Sequence, residues 1–367
     1  MSYFALTALL AGANNSWKNM AMRATALLMS LILLASCEDS PKPNRRDLLP
    51  GFVGKAGEVT VIMDDQFWNG RAGEVVKEFL ATPVPGLPQY EPMFDFQRYS
   101  HADFDNLVKP SRNILFVDIR DNINYKDSKV QVIREQFAKD QIVVSCTAMS
   151  EDEFIEEFRK TAHTIAEKIN EAERNRLIQY NLTFGNKDIG AYLTNSRGYS
   201  IDFYEQCSVT EEHKEFIWVH KITARPKDQQ MHDVQQGILI YEYPYTDDST
   251  FTKRFLLEKR DSILKKWLPG PESGSYMATE TRFDEPQFKE FYHNEKYAVE
   301  IRGLWKMENA IMGGPFVSLT TYDEARGLIV TVEGFVFAPK FDKREYMREI
   351  EAVLRSFSYK RQNQKSN

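Results

Sequence analysis

The hydrophobic positions of the first half fall into alternating strand-like and helix-like runs. Glu58-Val59-Thr60-Val61-Ile62-Met63 predicts a strand, and Phe67, Val75, Val76, Phe79 and Leu80 predict a helix over 67–81. Prolines and a glycine at 83–88 stop that helix. Apolar runs at 94–99, 113–119 and 141–147 predict three more strands. Ser150 and Glu153 have the spacing of a capping box, in which each satisfies a backbone N–H at a helix start. Phe154, Ile155, Phe158, Ala162, Ile165, Ala166 and Ile169 follow at helical spacing, so a long helix is expected to about Tyr180.

From about Asp188 the pattern becomes antiparallel. Tyr199, Ile201 and Phe203 alternate with polar neighbours, and 216–224 and 238–243 read as strands. Phe251, Phe255, Leu256, Ile263, Leu264 and Trp267 suit a helix closed by Pro269-Gly270-Pro271. Tyr297, Val299, Ile301, Trp305 and Met307 share one face of a strand whose other face carries Glu300, Arg302, Lys306 and Glu308, so that second face is expected at the surface. Gly313-Gly314-Pro315 predicts a turn, with an exposed groove-lining backbone as the alternative. Runs at 316–322 and 328–337 follow, and then a last helix with Tyr346, Met347, Ile350, Val353, Leu354 and Phe357 on one stripe. The fold class is therefore α+β: an N-terminal alternating strand/helix lobe (58–187), ending in a long connecting helix, and a C-terminal, largely antiparallel sheet covered by helices (188–359). The element order of the second lobe looks like the PsbP/Mog1-type sandwich, an analogy of topology that carries no chemistry. A polar tail, 360–367, ends the chain.

The N-terminus predicts an address. Lys18 and Arg23 precede an apolar run at 24–34, and Ala35-Ser36-Cys37 follow. A positive segment, a short apolar core and small residues before a cut make a secretory signal over 1–36, with Met20 or Met22 as the expected true start. The run is too short for a comfortable membrane span, which takes about 20 apolar residues. Leu34-Ala35-Ser36-Cys37 resembles the bacterial lipobox, which makes Cys37 the expected lipidation site and the membrane the first expected partner. Residues 37–57, with Pro41, Pro43, Pro50, Gly51, Gly54 and Gly57, read as a tether. The expected location is the outer membrane, lipid-anchored, on its periplasmic face or at the cell surface; Glu38 and Asp39 directly after the cysteine bear on that choice.

Composition narrows the classes further. The 367 residues are 42% hydrophobic and 27% charged, which excludes a wholly disordered chain and a polytopic membrane protein. A net charge of −6 argues against nucleic acid as a partner.

Several segments carry a resemblance: 57–64 (Gly-Glu-Val-Thr-Val-Ile-Met-Asp), 85–92 (Pro-Gly-Leu-Pro-Gln-Tyr-Glu-Pro), Arg112-Asn113-Ile114, 313–318 (Gly-Gly-Pro-Phe-Val-Ser) and 333–339 (Glu-Gly-Phe-Val-Phe-Ala-Pro). They look like a Bacteroidota lipoprotein family described only as a domain of unknown function, number 4837. The resemblance runs from about 50 to 357. It implies an envelope location and supplies no activity or site.

No catalytic motif stands out: Gly-x-Ser-x-Gly, His-Glu-x-x-His and the phosphate-binding loop are all missing. No cofactor or metal is expected, because His213, His220 and His232 are near one another in sequence without the convergence that metal ligation needs. Asp64 and Asp65 close the first strand, where carboxylates either cap the next helix or bind a ligand. Tyr90 lies in the proline-stiffened segment 85–92, readable as a rigid connector or as a docking loop. Glu333 joins Asp64 and Asp65 as a candidate carboxylate, since glycan hydrolysis needs only a carboxyl pair about 5–10 Å apart. Cys146 and Cys207 are either a disulfide or two small core residues. The leading expectation is a non-enzymatic module that binds or scaffolds an envelope protein, peptide or glycan. The alternatives are a carboxylate-dependent envelope hydrolase and a chaperone or assembly factor for exported proteins.

Overall fold

The computed structural model describes residues 44–120 and 129–359. Cys37, the segment 1–36 and the tail 360–367 lie outside the described residues. The chain divides into residues 1–49 and a body of residues 50–367. In the first unit, the Asn44 side chain caps a short 3-10 turn at Arg45–Leu48. No described helix is long and apolar enough to cross a membrane.

The body begins with a five-stranded sheet. Its strands are β1 (Glu58–Ile62), β2 (Asp95–Tyr99), β3 (Asn113–Ile119), β4 (Lys129–Arg134) and β5 (Ile142–Ala148), in the order β2-β1-β3-β5-β4. All pairs are parallel except β4 with β5. β1, β3 and β5 are near-continuous apolar runs because both faces are covered. The helix expected over 67–81 is two helices, α1 (Asp65–Trp68) and α2 (Arg71–Leu80). Gly70 between them is extended, and a Cβ on Gly73 would stand 1.9 Å from the Trp68 carbonyl oxygen, so α2 folds back closely on α1.

One face of this sheet packs Val59, Val61, Leu115, Val117 and Val144 against Val76, Phe79 and Leu80 of α2 and Phe154, Phe158, Ile165 and Ile169 of α3 (Glu151–Phe184). Ser150 accepts from the Glu153 N–H, and Glu153 reaches back to the Met149 N–H at 2.7 Å, so the capping box forms with its return bond one residue early. At 34 residues α3 is about 50 Å long. Its C-terminal half extends past the first sheet to the second.

α4 (Lys187–Ser196) and a two-residue strand β6 (Tyr199–Ser200) lead into the second sheet. Its strands are β7 (Ser208–His213), β8 (Phe216–Lys227), β9 (Gln230–Pro244), β10 (Tyr276–Glu280), β11 (Gln287–His293), β12 (Lys296–Glu308), β13 (Gly313–Asp323) and β14 (Leu328–Phe337). The order is β10-β12-β13-β14-β9-β8-β7, with β11 also on β12, and every pair is antiparallel. α5 (Lys253–Trp267) follows β9 and covers one face, where Leu256 and Leu264 meet Tyr241, Ile301, Trp305 and Phe335. α4 and α6 (Arg344–Ser356) cover the other, where Ile189, Leu193, Met347, Ile350, Val353 and Leu354 meet Ile238, Val317, Leu319 and Val332. β15 (Ser358–Tyr359) returns to pair with β6. The fold is α+β, and this lobe is a three-layer sandwich.

Two local expectations change here. Gly313-Gly314-Pro315 is not a turn but the start of β13, in register with β12. A Cβ on Gly314 would lie 2.1 Å from the Val336 carbonyl oxygen, the same oxygen that accepts from the Trp305 indole. The polar face of β12 is only partly at the surface: Arg302, Lys306 and Glu308 are half-buried. Glu300 is buried, because α6 and α3 lie across it.

Candidate functional site

A cleft of about 720 Å³ lies where α3 passes α6 and the edge of the second sheet. Helical spacing builds two of its walls. Arg344, Arg348, Glu351 and Arg355 stand on one stripe of α6, beside the apolar stripe that packs on the sheet. His163, Glu167, Asn170, Glu171, Arg174 and Ile178 form the facing stripe of α3. The floor follows from strand alternation: Glu300 and Arg302 of β12 pair with Lys289 and Gln287 of β11, with Phe291 and His293 next on the same face. Val84 and Pro85 close one end.

A linear charge network crosses the floor. Arg302 donates from Nε to Glu300 Oε1 at 2.7 Å and from Nη1 to Glu351 Oε1 at 2.6 Å. Arg355 donates to the other Glu300 oxygen and lies 4.1 Å from the Phe291 ring centre. Arg174 approaches Glu351 at 3.8 Å, beyond hydrogen-bond reach. Burial pushes the Glu300 carboxyl up, but the Arg302 and Arg355 charges outweigh it and hold the group down at about 2. Glu351 is lowered in the same way, against burial, chiefly by Arg302. Burial, with Arg174 and Arg302 nearby, pushes Arg355 below its ordinary value despite Glu300. Carboxylates held this far below neutrality are poor proton donors or acceptors at neutral pH, so the network suits holding a ligand better than moving a proton.

The proline-stiffened segment works inside the molecule. Glu91 accepts from the backbone N–H groups of Lys343 and Arg344, at 2.7–2.9 Å, and so caps α6 from the other lobe. Gln89 bonds Asp342 and Lys343, and Leu87 packs into the second lobe's core. Tyr90 stays exposed, its hydroxyl donating to the Ala81 carbonyl. The segment 85–92 thus clamps the two lobes together, with Pro85 on the cleft and the Tyr90 ring outside its lining.

The expected carboxylates do not converge. Asp64 occupies the N-cap position of α1, but its side chain makes no cap bond. It accepts instead from the His101 backbone N–H at 3.2 Å and faces the His101 ring nitrogen at 2.9 Å. Burial raises Asp64, and the His101 contacts more than offset it, leaving the group lowered. Asp65 pairs with Arg98 at 2.5 Å. A side-chain partner at each, His101 for Asp64 and Arg98 for Asp65, displaces the capping role read from the sequence. Glu333 belongs to the other sheet and is wholly buried. Arg260 grips both its oxygens at 2.7–3.0 Å, and the Tyr241 hydroxyl donates at 3.1 Å. It cannot form a catalytic pair with Asp64 or Asp65.

Cys146 and Cys207 are free thiols in separate cores, so the disulfide is not formed. Burial pushes Cys146 up to about 12 and Cys207 to about 11. Among the described residues no cluster of histidine, cysteine and acidic side chains could hold a metal. The cleft residues were missed at the sequence level, although Arg344, Arg348, Glu351 and Arg355 carry a readable i, i+4, i+7, i+11 charge register.

No curated protein matches the chain. Residues 53–181 match the model of a family described as Domain of unknown function (DUF8532). The resemblance expected over 50–357 thus divides, and the cleft draws on both parts: Arg174 from the first, and Glu300, Arg302, Glu351 and Arg355 from residues 186–356, which match the family described as Domain of unknown function (DUF4837).

Proposed function

We propose that this chain is a lipid-anchored protein of the bacterial cell envelope whose body binds or scaffolds an envelope component without turning it over. The anchoring half of the reading rests on Lys18, Arg23, the apolar run 24–34 and the Leu34-Ala35-Ser36-Cys37 tetrad. The binding half is carried by one observation: a cleft of small-molecule size whose carboxylates are all committed to guanidinium groups or to salt bridges on its rim. Such a site has shape and charge, its carboxylates are taken up in ion pairs, and of its two histidines His293 is held on the Phe357 carbonyl oxygen while His163 is exposed at the rim. The test is a photoreactive residue at Lys168, on the cleft, and another at Lys214, outside it, each irradiated in intact envelopes. A discrete crosslinked species from Lys168 alone is expected. The same pattern from both positions, or chemical conversion of the captured species, would refute the reading.

A further inference from the structure

We propose that the cleft between α3 and α6 takes an organic oxyanion, a carboxylate or phosphate carried on a larger body, gripped by Arg174 and Arg355. This rests on the binding reading and deepens it.

The argument begins with charge. The cleft is lined by seven lysine and arginine side chains against four glutamates, in a chain whose net charge is −6. Arg344 and Arg348 are answered from outside the lining by Asp95 and Glu345, so the cations short of carboxylates are those along the floor. Along the floor the order is Arg355, Glu300, Arg302, Glu351, Arg174. The central guanidinium, Arg302, is saturated by two carboxylates and is locked. The two ends are guanidiniums as well, and each has fewer carboxylate contacts than Arg302. Arg355 donates one hydrogen bond to Glu300 and rests on Phe291. Arg174 makes no hydrogen bond to any carboxylate, its nearest being Glu351 at 3.8 Å. An arginine carries five N–H donors, and none of those on Arg174 is among the buried groups left without a partner. The Arg174 side chain lines the cleft and is about a quarter exposed, so donors are accessible there.

That is the geometry an anion uses. The planar guanidinium fork matches carboxylate and phosphate oxygens two at a time, and Glu300 and Glu351 hold the surrounding arginines in place before any ligand arrives. An oxyanion on this floor would also offset the excess of three guanidiniums over two carboxylates along the network. A bare inorganic ion would fill little of 720 Å³. The remaining volume, with Val84, Pro85, Ile178 and Phe291 on its walls, suits the organic part of the ligand.

The experiment uses the purified full chain in detergent, titrated calorimetrically and by thermal melting with glucose 1-phosphate, glucuronate and glucose. At least one of the two anions is expected to bind and raise the melting temperature. Glucose is expected to do neither, and added sodium chloride should weaken the effect. Preference for the phosphate ester or for the uronate identifies which oxyanion the cleft takes. Arg174→Gln should lose about tenfold or more in affinity, with Arg174→Lys in between and the ligand-free melt little moved in both. Failure of both anions to bind, equal binding of glucose, or parental affinity in Arg174→Gln would overturn the inference. A Lys168 crosslink that survives Arg174→Gln at parental yield overturns the oxyanion inference while leaving the binding reading standing. Anion binding without any Lys168-specific crosslink does the reverse.

Discussion

Two carboxylate–guanidinium sites in the second lobe use the same chemistry to opposite ends. Glu333 and Arg260 lie on the α5 side of the sheet, sealed from water, and every strong donor of the pair is answered within the core. Glu300, Arg302, Glu351, Arg355 and Arg174 lie on the α6 side, along the floor of an open cleft, and cations outnumber anions. An arginine answered by two carboxylates, Glu333 and Asp261, has nothing left to offer a ligand. A network that ends on arginines at both sides keeps donors in reserve. The difference is one of stoichiometry and access, and it separates a structural ion pair from a candidate binding site.

The comparison breaks most visibly at the sealed pair. Arg260→Ala leaves Glu333 buried without its counter-charge and should cost about 3–5 kcal/mol, read from chemical denaturation. A double variant with apolar residues of similar volume at 260 and 333 should recover most of that loss. Full stability in the single variant would contradict the sealed-pair description.

The helix beneath the open network supplies the next test, because α6 shows the sheet one stripe and the cleft another. Leu354 is buried on the sheet side, so Leu354→Ala should cost about 2–5 kcal/mol and lower the melting temperature. An unchanged melt would mean that this stripe does not bear the packing.

Acid sharpens the contrast. The folded value of Glu300, about 2, lies below its ordinary value of 4.5. A lowered carboxylate stabilises the fold above its unfolded value, and that stability is lost as pH falls through the folded one. The contribution should therefore be complete above about pH 4.5 and disappear towards pH 2, on the order of 2–4 kcal/mol in all. Parent and Glu300→Gln melts compared across that window should converge as the acid strengthens. A gap independent of pH would remove Glu300 from the titrating network.

The smallest effect is expected at the open end. Arg174→Gln should change stability by about 0–1 kcal/mol, since its one ion pair is long and partly solvated. A loss as large as that at Arg260 would make the cleft network structural and erase the distinction.

The elements visible in the sequence were those with a complete local period. β3 and β14 fall at the expected residues, and α6 within two of them. α4, β4, β7, β10 and β11 were not anticipated. β7 is exposed along nearly its whole length and β11 is polar at alternate positions, so neither carries an apolar run. An edge strand is defined by the partner that pairs with it, and that partner is remote in sequence. The candidate site was hidden for a related reason. Glu300, Arg302 and the charged stripe of α6 have the spacing of a solvent-facing surface, and local pattern carries no information on whether such a surface meets water or another helix.

What the chain determined by itself was therefore the local order: a parallel-type first half, a long capped helix, an antiparallel second half and a last helix with an apolar stripe. These follow from periods of two and 3.6 residues, which act between near neighbours. What only the tertiary structure decided was which charges meet. Burial places Glu333 on Arg260, 73 residues away in the chain, and gives His101 to Asp64 and Glu91 to the start of α6. Coulomb energy depends on distance in space and on the surrounding dielectric, and both are set when the sheets and helices pack.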